Sequence, residues 1–213
     1  METGSNGQAA VRELPIVAGH LALDFANTVD DPLGTARFDH AATYADLVRW
    51  TARTQVIART RASRLLRAAA SHPQDAAVAT TSAHELRDAL NQTFGAVADG
   101  AADTSKQWTR LRPFVADALA SATLDDSDRT FPHWAWPQTD DLAVVLHPIA
   151  SAAADLLVSD QLRRVKRCAR CPWLFLDSSK NRSRRWCDMN DCGTAQKIER
   201  YVARRAAARR STV

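Results

Sequence analysis

A chain of 213 residues, 46% hydrophobic and 24% charged, is long enough to bury a core as one large or two small domains without disulfide staples. Only 7 Gly and 8 Pro exclude a collagen-like or Pro/Gly-rich disordered chain. The net charge of +4 conceals a split: residues 1–159 hold 13 Lys and Arg against 19 Asp and Glu, and residues 160–213 hold 15 against 5. The last quarter of the chain therefore carries +10, the footprint of a polyanion binder or, on a plainer reading, a basic tail that is solvated or contacts the acidic part.

In chain order, residues 1–12 read as a disordered lead. The opening METGSNGQAAVREL has neither a basic n-region nor an apolar h-region, so a cytoplasmic chain without a secretory signal is expected. Leu14–Val17 is a short apolar stretch broken by Pro15. In His20–Asp30, HLALDFANTVD, Leu21, Phe25 and Val29 fit a helix face, while Leu21, Leu23 and Phe25 also alternate as a strand would. Asp31-Pro32 and Gly34 signal a turn. Thr43 and Asp46 predict a capped helix over about 43–58 with Leu47, Val48 and Trp50 in the core. Ser63–Ala70 reads as helix, and Pro73 suits the first position of the next. Ser82-x-x-Glu85 is a capping-box candidate ahead of Leu86, Leu90 and Phe94, with Gly100 as the stop. Another helical pattern covers 104–120, where Pro113 is expected to start, kink or break it.

From Leu124 to Pro137 the character changes. DDSD at 125–128 is turn chemistry, and Phe131, Trp134 and Trp136 favour a small hairpin with a core aromatic. Asp140 or Asp141 then caps a long amphipathic helix to about Val165, bearing Leu142, Val145, Leu146, Ile149, Ala153, Leu156 and Leu157, with a kink or restart at Pro148. Its charge-free stretch Leu142–Ala154 is 13 residues, short of the roughly 20 a membrane span needs, so no membrane partner is expected. There is no internal repeat. The fold class read from this pattern is mostly α with short β-hairpins: a helical N-terminal domain over 12–160 and a C-terminal treble-clef-like metal module over 161–210.

All four cysteines fall in the basic quarter: Cys168-x2-Cys171, fifteen residues, then Cys187-x4-Cys192. Two close pairs at this separation suit a tetrahedral tetrathiolate zinc site, borderline-soft sulfur matching borderline-soft zinc. Two disulfides, a thioredoxin-like redox pair and unconnected buried cysteines are the competing readings. Four thiolates leave zinc no open position, so the ion is expected to be structural, supplying folding free energy to a segment whose own core is small: Trp173, Phe175, Trp186, Ile198 and Tyr201.

Between the cysteine pairs lies Asp177–Arg185, DSSKNRSRR. Lys180, Arg182, Arg184 and Arg185 can neutralise phosphate, and Asn181 and the serines can donate to its oxygens. After Cys192-Gly193 a helix is expected to about Arg210, with Lys197, Arg200 and Arg204 on one face and Ile198 and Val202 elsewhere. A rigid basic loop beside a basic helix face reads as a binder of double-stranded DNA. The plainer alternative gives the same arginines to salt bridges or to the acidic domain.

The stretch CARCPWLFLDSSKNRSRRWCDMNDCGTAQKIERYVARR resembles the CGNR zinc finger of bacterial proteins, through the CxxC knuckle, Trp173-x-Phe175-x-Asp177, SKNRSRRWC, Met189, and Cys192-Gly193 followed by Lys197. The preceding part resembles the ABATE domain, in HLALDFANTVD, HELRDAL and DLAVVLHPIASAAADLL. The resemblance implies a stress-induced transcription regulator, with zinc on Cys168, Cys171, Cys187 and Cys192 and DNA as partner. Thr194 and Ala195 stand where the motif has Asn and Arg, so a contact made by that pair would be lost.

A regulator's second domain senses or dimerises, so a small-molecule effector and a homodimer on paired half-sites are both candidates. Asp24, Asn27 and Thr28 are candidate effector ligands, or else satisfy local backbone groups. Trp134 and Trp136 beside His133 form either a ligand platform or a packed hairpin. His84 and His147 have no partner at metal spacing and read as structural or surface residues. Nucleophile-elbow, zincin, P-loop and dinucleotide motifs are missing from the sequence, so an enzyme is not expected. The rivals are a finger that takes RNA or an acidic protein, and a catalytic N-terminal domain.

Overall fold

A computed structural model describes residues 14–30, 38–127, 132–137, 139 and 141–210. The expected lead over 1–12, the turn at Asp31–Gly34, and Asp128, Phe131 and Asp140 lie outside the described residues. The 20–30 segment is helical at α1 (Leu21–Ala26), and Val29 leaves the helix to bridge Asp39. Both periodicities fit this segment because every residue from Ala22 to Val29 is buried.

The Thr43–Asp46 capping box opens α2 (Tyr44–Arg53). It stops short of residue 58: the Thr54 hydroxyl donates to the Trp50 carbonyl, and Gln55 takes a left-handed φ of 60°. α3 (Arg59–Ser71) is longer than its apolar residues predicted, and Pro73 does begin α4 (Pro73–Ala98). Ser82 and Glu85 cap nothing; they lie inside α4, which no breaker interrupts. Gly100, at φ 77°, closes it: its N–H donates to Val97 and that of Ala101 to Ala96, the paired bonds of a left-handed helix stop. α5 (Ser105–Ala120) runs through Pro113. Both Pro113 and Thr109, whose carbonyl loses a partner there, are exposed, so water can take that bond.

β1 (Thr123–Asp125) pairs antiparallel with β2 (His133–Ala135), setting Leu124 opposite Trp134. The expected core aromatic is not Trp134, which is 46% exposed; Trp136 packs on the core and donates its indole N–H to Ala118 at 2.8 Å. The long helix expected to Val165 is three pieces: a 3-10 turn over Leu142–Leu146 capped by Asp141, then α6 (His147–Val158), then a 3-10 turn over Asp160–Arg164. Pro148 lacks an N–H and is accommodated in the first turn of α6, so the chain restarts there. No helix among the described residues is long and apolar enough to cross a membrane.

One hydrophobic core runs from Leu14 to Cys192, so the residues after 160 pack on those before. β3 (Val165–Arg167) and β4 (Leu174–Leu176) form an antiparallel hairpin. All three residues of β4 are buried, which requires cover on both faces. The cross-strand pair Arg167 and Leu174 faces the body: Arg167 lies over Gly95 of α4, where a Cβ would come within 2.5 Å of its guanidinium, and pairs with Asp99 at 2.8 Å. The next pair, Lys166 and Phe175, meets the loop 177–185. A π-helical turn over Met189–Gly193 leads into α7 (Thr194–Arg210). Residues 197–207 of α7 are all exposed, so Ile198 and Tyr201 are not core; Leu174, Phe175 and Trp173, packed on the body, take that place.

Candidate metal centre

The first cysteine pair sits in the turn between β3 and β4, where Cys168 N–H donates to Trp173 O at 2.8 Å. Cys192 lies in the π-helical turn that opens α7, and Cys187 ends the basic loop. All four are free, and their sulfurs lie within 4.8 Å of one another. Cys171 is 3.5 Å from Cys187 and 3.7 Å from Cys192, and Cys187 is 3.7 Å from Cys192. A tetrahedron with metal–sulfur bonds of about 2.3 Å has edges of about 3.8 Å. The donor set therefore fits one tetrahedral ion and leaves no fifth ligand position.

Thiolates this close to one another oppose each other's ionisation. Hydrogen bonds from Cys171 and Cys187 pull Cys168 below the ordinary thiol value, and donation to Cys168 pushes Cys171 and Cys187 above it. Burial pushes Cys192 up as well. A divalent cation favours all four thiolates at once.

Gly193 lies close under Met189 and Trp186: a Cβ there would lie 2.9 Å from Met189 Sδ and 3.5 Å from the Trp186 ring, so the methionine would have to move aside. Trp186 donates to Gln196 at 3.3 Å, tying the loop to α7. Thr194 and Ala195 begin that helix; the Thr194 hydroxyl turns back to Met189 O at 3.1 Å.

The loop 177–185 is built around Asp177, which is fully buried. Its Oδ1 accepts the N–H and hydroxyl of Ser179, and its Oδ2 accepts Lys166 Nζ at 2.7 Å and the Arg184 N–H at 3.1 Å. Burial pushes its carboxyl up, but the Lys166 and Ser179 hydrogen bonds outweigh that and hold it down at about 2. Asp177 and Lys166 thus organise the loop, a role signalled in the sequence only by the Asp-x-Ser turn.

Of the expected phosphate contacts, Lys180, Asn181, Arg182 and Arg185 are exposed on this loop, and Lys197, Arg200 and Arg204 on α7. Arg184 differs. Its guanidinium donates to the carbonyls of Trp186, Cys187 and Val17 and lies 4.7 Å over the Phe175 ring. It is a strut between loop and body.

Asp24, Asn27 and Thr28 are buried and occupied by protein groups. Asp24 accepts the N–H groups of Val17 and Ala18, and burial raises its carboxyl despite them. Asn27 donates to Leu174 O at 2.8 Å and accepts Leu174 N–H at 2.9 Å. Trp173 adds an indole bond to Val29 O. Thr28 donates to Phe25 O and lies 3.4 Å from Arg87, whose guanidinium clamps Asp39 at 2.6 and 2.7 Å. The segment 20–30 thus seats the metal-bearing hairpin. His84 donates to Ala41 O, and buried His147 to Asp117.

Residues 19–160 match the family model of the ABATE domain, described as "Putative stress-induced transcription regulator", and residues 164–205 match that of the CGNR zinc finger. Comparison with curated proteins returns no match.

Proposed function

The chain belongs to the ABATE family and ends in a CGNR zinc finger, and from that premise we propose that it is a transcription regulator that binds double-stranded DNA through a zinc-ordered basic surface. On this reading it regulates rather than catalyses. The zinc would be held by Cys168, Cys171, Cys187 and Cys192, where it supplies charge neutralisation and a fixed tetrahedral joint.

The observation that carries the reading is the division of labour in the loop. Lys166, Asp177, Ser179 and Arg184 are spent on internal bonds, while Lys180, Arg182 and Arg185 stand exposed on the shape those bonds define. Cations held on a preformed surface neutralise phosphate with little ordering cost. α7 continues the surface with Lys197, Arg200 and Arg204.

Replacing Lys180, Arg182 and Arg185 together with Ala is expected to weaken duplex binding and to lower the slope of log K against log salt by about 2.7, with the metal content unchanged. Unchanged affinity and slope would reject the loop as the DNA contact. Preference for RNA or an acidic peptide over duplex DNA in competition would reject the assignment of partner.

A further inference from the structure

Between α2 and α3 lies a cleft of about 610 Å3, within the roughly 300–1,000 Å3 of small-molecule sites. Its floor is apolar, formed by Val48, Ile57, Ala62 and Leu66. Three arginines line it, Arg49, Arg53 and Arg59, and no carboxylate does so among the described lining residues, although residues 1–159 are net acidic. Asp46, which does not line the cleft, holds Arg49 at 2.6 Å. An apolar floor with cationic lining residues complements an anion with an apolar body; a neutral or cationic counterpart of that body gains only the floor.

Arg53 also faces away from the cleft. It donates to the Leu14 carbonyl and lies close enough to Asp24 to favour its charged form. Asp24 in turn holds the N–H groups of Val17 and Ala18, at 3.0 and 2.9 Å. The carbonyls of those two residues reach the finger: Val17 O accepts from Arg184 at 3.1 Å, and Ala18 O accepts the Leu176 N–H at 2.7 Å. Residues 14–18 are therefore a strap with the cleft at one end and the metal-bearing segment at the other.

We propose that the cleft binds a small organic anion with an apolar body, and that drawing Arg53 onto this anion shifts the 14–18 strap and the loop it touches. The binding site stands independently of the DNA reading, whereas its regulatory meaning rests on that reading. The coupling equals the difference in affinity between the two placements of Arg53, since a ligand shifts an equilibrium by no more than that.

Hexanoate, 1-hexanol and hexylammonium share one apolar body and differ in head charge. By calorimetry, hexanoate is expected to bind at least tenfold more tightly than the other two. The double variant Arg49→Ala/Arg59→Ala, both exposed positions and so expected to fold, should lose that advantage. Equal affinity for the three, binding of none, or full hexanoate affinity in the variant overturns the site. With hexanoate bound, hydrogen exchange at the Leu176 amide should change severalfold; an unchanged rate overturns the relay. These readouts contain no DNA, so a failed DNA-binding experiment leaves them intact.

Discussion

The two parts of the C-terminal segment are held by different forces. The β3–β4 hairpin is a piece of the body's core: Leu174 and Phe175 are fully buried, Asn27 exchanges two hydrogen bonds with the Leu174 backbone, and Arg167 is fastened to Asp99. The loop 177–193 reaches that core only through Trp186, Cys187 and Cys192, and from Lys197 to Ala207 α7 is exposed throughout. The clustered cysteines, the Asp177 hub and the Arg184 strut shape this second part. Hydrophobic burial fixes the platform, and sulfur chemistry with buried polar bonds fixes what the platform presents.

The largest test of this contrast is removal of the metal, by chelation or by Cys187→Ser. Structural zinc is worth on the order of 10 kcal/mol to a small module. Loop 177–193 and α7 are expected to lose order while α1–α6 and the β3–β4 hairpin persist, read by residue-resolved hydrogen exchange. Collapse of the hairpin together with α7 would show that the metal, not the body, holds it.

Next in size, Leu174→Ala is expected to cost about 2–5 kcal/mol, the range for a buried leucine truncation. Denaturant unfolding of the body should register the loss, although the residue lies between the metal ligands. A loss confined to the finger would divide the core at the hairpin. On the body's side, Asp39→Ala leaves Arg87, only 4% exposed in its side chain, without its carboxylate. Breaking such a pair is expected to cost about 3 kcal/mol.

The pH dependence has a definite sign. Burial raises the Asp39 carboxyl, but the hydrogen bonds and charge of Arg87 outweigh it and set it below the ordinary 3.8. The stabilisation is therefore complete above about pH 4 and is lost as pH falls through the lowered value. Acid titration should show a stability difference between wild type and Asp39→Ala that closes in that window. A constant difference would assign the loss to packing.

The smallest expected effect is local. Asp177→Asn weakens the acceptor of Lys166 and of the Arg184 N–H, should cost about 1.5 kcal/mol, the lower end for a hydrogen bond to a charged group, and should loosen the loop while the metal stays bound. Faster exchange at the Ser179, Ser183 and Arg184 amides with unchanged metal content is the expected result. Release of the metal would show that the hub and the metal act as one constraint.

Much of this was legible in order of residues. Thr43 with Asp46, Pro73, and the Gly100 stop act within a few residues of themselves, so their local chemistry suffices. The cysteine spacing belongs with these, because a knuckle brings its two sulfurs together whatever lies around it. Ser82 misled because a capping signal is redundant inside a helix already running. Trp134, Ile198 and Tyr201 misled because large apolar side chains need an apolar surface on every side to be core, and all three are about half exposed.

The composition and spacing along the chain were enough to settle the helical class, the four-sulfur set and the place where basic charge concentrates, since each depends on neighbours in sequence. The role of Asn27 and the withdrawal of Arg184 from the basic surface emerged only on folding. Asn27 meets a strand 147 residues away, and Arg184 meets Val17 across 167, distances at which no local pattern carries information and only the packed core selects the partner.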